Sequence, residues 1–184
     1  MVIHFVTENA GKYAEAVRIA TKFGVQLRQL RLRKMEIQSE DLKAIVSFAA
    51  RQACQRARRP VVADDSGFFV RALGGFPGPY SSYVYRTIGN RGILRVLRSD
   101  GQRDAYFQSV VAFCKPSSRP VCFSGIVNGS VSRRPMGTHG FGFDPIFIPK
   151  DGDGRTFAEM RTEEKNLLSH RAKAFNKFFE WYTS

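Results

Sequence analysis

No apolar run in this chain approaches the ~20 residues of a membrane-spanning helix. The N-terminal stretch Met1-Val-Ile-His-Phe-Val is too short for a secretory leader and has no basic start. It reads as a first strand, so the cytoplasm is the expected compartment and no membrane partner is expected. Cysteine is scarce, with three in 184 residues. Cys54, Cys114 and Cys122 show neither a CxxC nor any zinc-ligand spacing, and buried free thiols are expected. There is no Walker A loop. Asp151-Gly152-Asp153-Gly154 lacks the length and closing Glu of a calcium loop. No repeat or linker interrupts the chain, so residues 1–184 are expected to form a single domain. Acid is also short, at 16 Asp and Glu against 29 Lys and Arg, for a formal charge of +13.

Such an excess calls for an acidic partner. Basic residues gather at Arg28, Arg31, Arg33 and Lys34, at Arg56, Arg58 and Arg59, and at Arg91, Arg95, Arg98 and Arg103. These clusters are dispersed and lack the interleaved aromatics of a single-strand platform. No specific nucleic acid is therefore expected, and a nucleoside triphosphate would be drawn to the same field. A hydrophobic content of 43% with 24% charged residues fits an ordinary globular core.

Against that basic background stands Val61-Val62-Ala63-Asp64-Asp65-Ser66-Gly67. The apolar residues read as a buried strand, and Ser66-Gly67 reads as a turn. Two adjacent carboxylates thus sit where a strand is expected to open into a loop. Alternate strand side chains face opposite ways, so Asp64 and Asp65 are expected to do different jobs, and an acid pair at a strand end suggests a metal-ion site.

Taken in order, Val2 to Val6 is a strand, followed by the polar Thr7-Glu8-Asn9-Ala10-Gly11-Lys12. A helix follows with Tyr13, Val17, Ala20 and Phe23 on its apolar period. A strand, a short loop and a helix start make a phosphate cradle, because free backbone N–H groups and the positive end of the dipole face the ligand. Val25 to Leu32 reads as a second strand, and Ser39-Glu40-Asp41 opens a helix to about Arg58. Glu36 lies between them, free to turn inward. Leu73 to Tyr80 is an irregular loop. Ser81–Tyr85 and Gly92–Leu97 read as helices separated by Gly89-Asn90-Arg91-Gly92. Ala105–Phe113 and Val121–Val131 form a long hairpin. In Gly137–Pro145, glycines among aromatics allow close approach to a flat ligand, with Phe141 or Phe143 as a stacking ring and Asp144 as an acceptor. Lys165, His170 and Arg171 bracket the start of the last helix, where extra cations make sense if an anion binds.

The ordered set Thr7-Glu-Asn-Ala-Gly-Lys12, Glu36-Ile-Gln38, Asp64-Asp-Ser-Gly67, Gly75-Phe-Pro-Gly-Pro-Tyr80, Gly140-Phe-Gly-Phe-Asp-Pro145, Thr156-Phe-Ala-Glu-Met160, Glu164-Lys-Asn166 and Ser169-His-Arg171 closely resembles the inosine/xanthosine triphosphate pyrophosphatase family, particularly its archaeal members. The resemblance implies an elongated two-lobed α/β fold. A long mixed β-sheet carries flanking helices, with a central active-site cleft. It implies Mg²⁺-dependent hydrolysis of XTP, ITP and dITP to the monophosphate and pyrophosphate, and a homodimer. By resemblance, Thr7, Glu8, Asn9, Ala10, Gly11 and Lys12 hold the triphosphate. Glu36 and Asp65 hold magnesium, Asp65 is also the general-base position, and Ser66 touches phosphate. Asp64 either orients its neighbours or activates water. Phe141 stacks on the purine, with Gly142 and Phe143 beside it. Asp144 reads the base edge, and Lys165, His170 and Arg171 bind phosphate and base. Where many relatives carry a lysine before the acid pair, this chain reads Phe48-Ala-Ala-Arg51. The alternatives are a pyrophosphatase for modified pyrimidine nucleotides and a basic RNA-binding protein.

Overall fold

The computed structural model describes residues 2–32, 35, 37–97 and 101–184. Glu36, expected to hold metal, lies outside the described residues. β1 (Val2–Val6) pairs in parallel with β2 (Gln26–Leu30), from Val2 opposite Gln26 to Val6 opposite Leu30, and α1 (Ala10–Lys22) makes the crossover. β1 also pairs in parallel with β3 (Val61–Val70), from His4 opposite Val61 to Val6 opposite Ala63, and α2 (Leu42–Ala57) lies between β2 and β3 in sequence. Parallel neighbours need such crossovers, since a tight turn cannot reverse the chain twice. The remaining strands are β4 (Pro77–Gly78), β5 (Asp104–Cys114), β6 (Val121–Val131) and β7 (Phe147–Pro149). Among the described residues the sheet has seven strands in the order β2-β1-β3-β5-β6-β7, with β4 on β3. β4 on β3 and β7 on β6 are antiparallel, so the sheet is mixed. Helices α3 (Ser81–Thr87), α4 (Gly89–Val96), α5 (Thr162–Leu168) and α6 (His170–Thr183) complete the α/β fold.

Two expectations are corrected here. β3 does not open at Ser66-Gly67 but runs on to Val70. Gly67 is there for space rather than for a turn, because a Cβ would come 2.7 Å from both the Gly78 carbonyl oxygen and the Phe69 ring. The expected separator Gly89–Gly92 is instead the start of α4. The break is at Gly89 itself, whose φ of +60° suits glycine.

The chain forms two compact units, Met1–Asp65 with Ser109–Gly125 and Arg171–Ser184, and Ser66–Gln108 with Ile126–His170. In the first, Ile3, Phe5, Leu27 and Val62 of the sheet pack with Ala16 and Ile19 of α1 and Phe175, Phe178 and Phe179 of α6. Fully burying each of the Ile, Phe, Leu and Val side chains stabilises by about 1.5–3 kcal/mol, and the edge-on Phe5–Phe175 pair at 5.3 Å adds to it. The second core is an aromatic cluster in which Phe107 packs against Phe68, Phe147 and Phe157. Cys54, Cys114 and Cys122 are free thiols, the first two buried and the third half-buried. Burial, with Cys54 close by, pushes the Cys114 thiol up to about 11. No helix among the described residues is long and apolar enough to cross a membrane.

Candidate active site

In the first unit the site begins at the start of α1. Asn9 caps the helix, its side-chain oxygen accepting from the Lys12 N–H at 3.0 Å. The Asn9 N–H in turn donates to Thr7 Oγ1 at 3.2 Å. Gln29 Nε2 donates to the Thr7 carbonyl at 3.0 Å, tying the turn to β2. No acid occupies the first helical turn, so the positive end of the helix is not neutralised by its own sequence. Glu8, Asn9 and Ala10 are exposed, Gly11 and Lys12 half-buried, and Thr7 buried.

Lys12 reaches from this turn to the acid pair. Its Nζ lies 3.3 Å from Asp64 Oδ1 and 4.0 Å from Asp65 Oδ1. The two acids differ as the strand alternation predicts. Asp64 is fully buried, whereas Asp65 keeps 16% of its side chain exposed. Asp64 Oδ2 accepts from Arg171 Nε at 3.0 Å, and Arg171 Nη1 donates to Glu15 Oε2. Arg171, at the start of α6, and Glu15, in the second turn of α1, are themselves almost wholly buried. Burial alone would lower the pKa of Arg171. The Glu15 and Asp64 charges and their hydrogen bonds outweigh that and raise it, so Arg171 stays charged. Ser109 Oγ donates to the Asp65 carbonyl at 3.3 Å, holding the main chain at the carboxylate pair.

The apolar period Tyr13, Val17, Ala20 and Phe23 does not point to Glu15, because the buried face of α1 is Glu15, Ala16, Ile19 and Ala20. Anchoring the period on Ile19 would have put Glu15 on the inner face four residues earlier. A buried acid there requires a buried cation.

In the second unit Asp144 is the centre. Its Oδ2 accepts from Lys165 Nζ at 2.7 Å and from the Phe141 N–H at 2.9 Å. The Lys165 ammonium also stands 5.0 Å from the Phe141 ring centroid and 5.5 Å from that of Phe157, within cation–π range. Asn90 Nδ2 donates to the Gly142 carbonyl at 3.3 Å, securing the same turn. His170 is buried, with its ring stacked on Phe107 at 4.6 Å and 10°. Phe143 is only 2% exposed, stacked on Phe68 in the core. Of the two rings considered for stacking on a ligand, Phe141 is therefore the one outside the core. Ser66 is half-buried on β3.

Gly140 makes the Asp144 arrangement possible. Its φ is +75°, and a Cβ would come 2.2 Å from Asp144 Oδ2. Gly140→Ala is expected to lower unfolding free energy by about 1–3 kcal/mol through the left-handed backbone alone. Displacement of Asp144 would add to this, and urea denaturation measures the sum.

Carboxylates, a helix-start lysine and a glycine-shaped aromatic turn on a mixed sheet define an α/β protein built to handle charged ligands. The chain belongs to the Ham1 family, matching it over residues 3–181. It is 47% identical over 182 residues to the dITP/XTP pyrophosphatase of Methanopyrus kandleri, covering 99% of this chain and 96% of that protein. It is 48% identical to the protein of the same name from Pyrococcus horikoshii over 181 residues, covering 98% and 96%. Among solved structures, the HAM1 protein of Coxiella burnetii superposes with a TM-score of 0.87 at 28% identity, covering 100% of this chain and 98% of that one.

Proposed function

We propose that this chain hydrolyses dITP, ITP and XTP to the monophosphate and pyrophosphate. It would act as one nucleoside-triphosphate pyrophosphatase domain over residues 1–184, clearing non-canonical purine nucleotides from the cytoplasmic pool. The observation that carries the reading is the meeting of Lys12, Asp64 and Asp65 beside a helix start that holds no acid of its own. The full-length similarity to proteins named dITP/XTP pyrophosphatase supports it.

Adjacent carboxylates are hard oxygen donors, and an ammonium already lies against both. That donor set suits Mg²⁺, which takes one or two protein carboxylates and completes its shell with water and phosphate. It does not need three protein ligands, and no group of three or more His, Cys, Asp or Glu is gathered among the described residues. Asp65 would hold the ion, together with Glu36 from outside those residues. When bound, Mg²⁺ supplies charge neutralisation on the phosphates.

The chain's own groups divide the work. Backbone N–H groups from Thr7 to Lys12 bind phosphate oxygens at the positive end of α1. Lys12 exchanges its carboxylate partners for the departing pyrophosphate. Asp65, the more exposed acid, orients the water that attacks the α-phosphorus and accepts its proton. Asp64, fixed by Arg171, sets the position of its neighbour. In the second unit Phe141 stacks on the purine and Ser66 touches phosphate. Asp144, Lys165 and His170 read the base edge. Arg171, a guanidinium with five N–H donors, is the proposed donor to position 6 of the base. A donor at position 6 accepts a 6-oxo purine and opposes the 6-amino group of adenine. A homodimer is the proposed assembly.

Pyrophosphate release from XTP, dITP, ITP, GTP and ATP, with Mg²⁺ or with EDTA, tests this. XTP, dITP and ITP should turn over only with the metal. ATP should fall behind in kcat/KM by about 10²-fold or more, because its amino group leaves buried donors unmatched. Equal rates on all five would overturn the base reading, and no pyrophosphate from any of them would overturn the function.

A further inference from the structure

The positive charge is not spent on the phosphate-binding turn alone. β1 and β3 run parallel; Thr7 follows the end of β1, and Arg58 and Arg59 precede the start of β3. These two arginines therefore mark the opposite end of the strands from the candidate phosphate site. Arg28 on β2 stands level with His4 on β1. Arg28, Arg58 and Arg59 are all exposed. None of the three forms an ion pair with the described residues.

The backbone there is held in place. Arg58 ends α2 in the left-handed conformation, φ 50° and ψ 35°, where glycine is the residue with least strain. Cys54 Sγ donates to the Arg59 carbonyl at 3.3 Å, and Arg59 Nε donates to the Ala57 carbonyl at 3.2 Å. His4 reports the resulting field. Its pKa is lowered first by burial, then by Arg59 and Arg28, with no carboxylate acting on it in the opposite sense. Like charges gathered on a fixed backbone, with no ion-paired acid among the described residues, favour an anionic partner. The planar fork of arginine suits phosphate oxygens.

We propose that Arg28, Arg58 and Arg59 form a docking surface for the phosphodiester backbone of single-stranded nucleic acid, read by charge and not by sequence. Nucleic acid fits better than an anionic membrane, because the apolar stripe of α2 is turned inward: Ile45, Val46, Ala49 and Ala53 are all buried. A membrane-surface helix would need that stripe outward. This inference is independent of the proposed hydrolysis.

The test uses the full chain and a fluorescein-labelled oligouridylate followed by anisotropy, with pyrophosphate release as the check on folding. Binding should weaken with a log–log salt slope of about −2, for three neutralised phosphates at about 0.7 each on a single strand. The triple variant R28E/R58E/R59E should lose at least tenfold in affinity and keep its turnover. Arg58→Gly removes one charge while relieving the left-handed backbone, so it stays folded, and it should flatten the slope by about 0.7. No binding at about 50 mM salt, unchanged affinity in the triple variant, an unchanged slope in Arg58→Gly, or preference for anionic vesicles over the oligonucleotide would overturn the proposal.

Discussion

Asp65→Asn lowers metal-dependent pyrophosphate release by about 10²–10⁴-fold, the range for losing a positioned general base, while the protein remains folded. The substitution keeps the shape of the side chain and removes its charge. Asp65 is partly exposed, so its amide meets water instead of an uncompensated interior. The hydrogen bond from Ser109 goes to the Asp65 main-chain carbonyl and survives the change. Lys12 is 4.0 Å from Asp65 but 3.3 Å from Asp64, so Lys12 keeps its nearer partner. Little stability should be lost. Asp64→Asn makes the informative contrast, because Asp64 is buried and bonded to Arg171. Its loss should appear in the unfolding free energy as well as in turnover. Measuring kcat and urea denaturation on both variants separates the roles. If Asp64→Asn abolished turnover at unchanged stability while Asp65→Asn stayed active, the assignment of the reacting carboxylate would be reversed.

The unequal legibility of this site in the sequence follows from how each part is held. β1, the turn after it and the start of α1 are local: an apolar run, a capping Asn9 and a helix period lie within a few residues of each other. The acid pair is local too, since its two carboxylates directly follow three apolar residues on one strand and alternate in burial. The continuation of β3 past Ser66 does not show in the local sequence, because it depends on Gly67 admitting the carbonyl of Gly78 on β4. Gly67 has the same local signature in a strand as in a turn. Phe141 and Phe143 are two residues apart among glycines, and only the packing of Phe68 tells which is core. Glu15 was hidden for a related reason. Its partner Arg171 is 156 residues away, and no local pattern shows that a helix acid faces a buried guanidinium. Residues that act through a partner distant in sequence are those that periodicity and spacing miss.

That long-range group sets the second large expectation. Arg171→Met should lower the unfolding free energy by about 3–5 kcal/mol, the usual result of removing one member of a buried charge group. The methionine fills much of the volume, so the loss is electrostatic in the main. Asp64 keeps Lys12 at 3.3 Å, and Glu15 loses the ion pair to Arg171. Part of the penalty should therefore fall on Glu15. Adding Glu15→Gln to Arg171→Met should then recover part of the loss, with a coupling energy of about 0.5–3 kcal/mol in a double-mutant cycle. Arg171→Lys should fall between wild type and the methionine variant, because one ammonium cannot span both carboxylates as the guanidinium fork does. Urea denaturation of five proteins, namely wild type, Arg171→Met, Glu15→Gln, the double variant and Arg171→Lys, measures each quantity. Turnover separates holding the fold from positioning Asp64. If Glu15→Gln restores stability to Arg171→Met but not its kcat, Arg171 orients the carboxylate pair as well as neutralising it. If all five proteins unfold at the same urea concentration, the buried charge group contributes nothing to folding and this account of α6 docking fails.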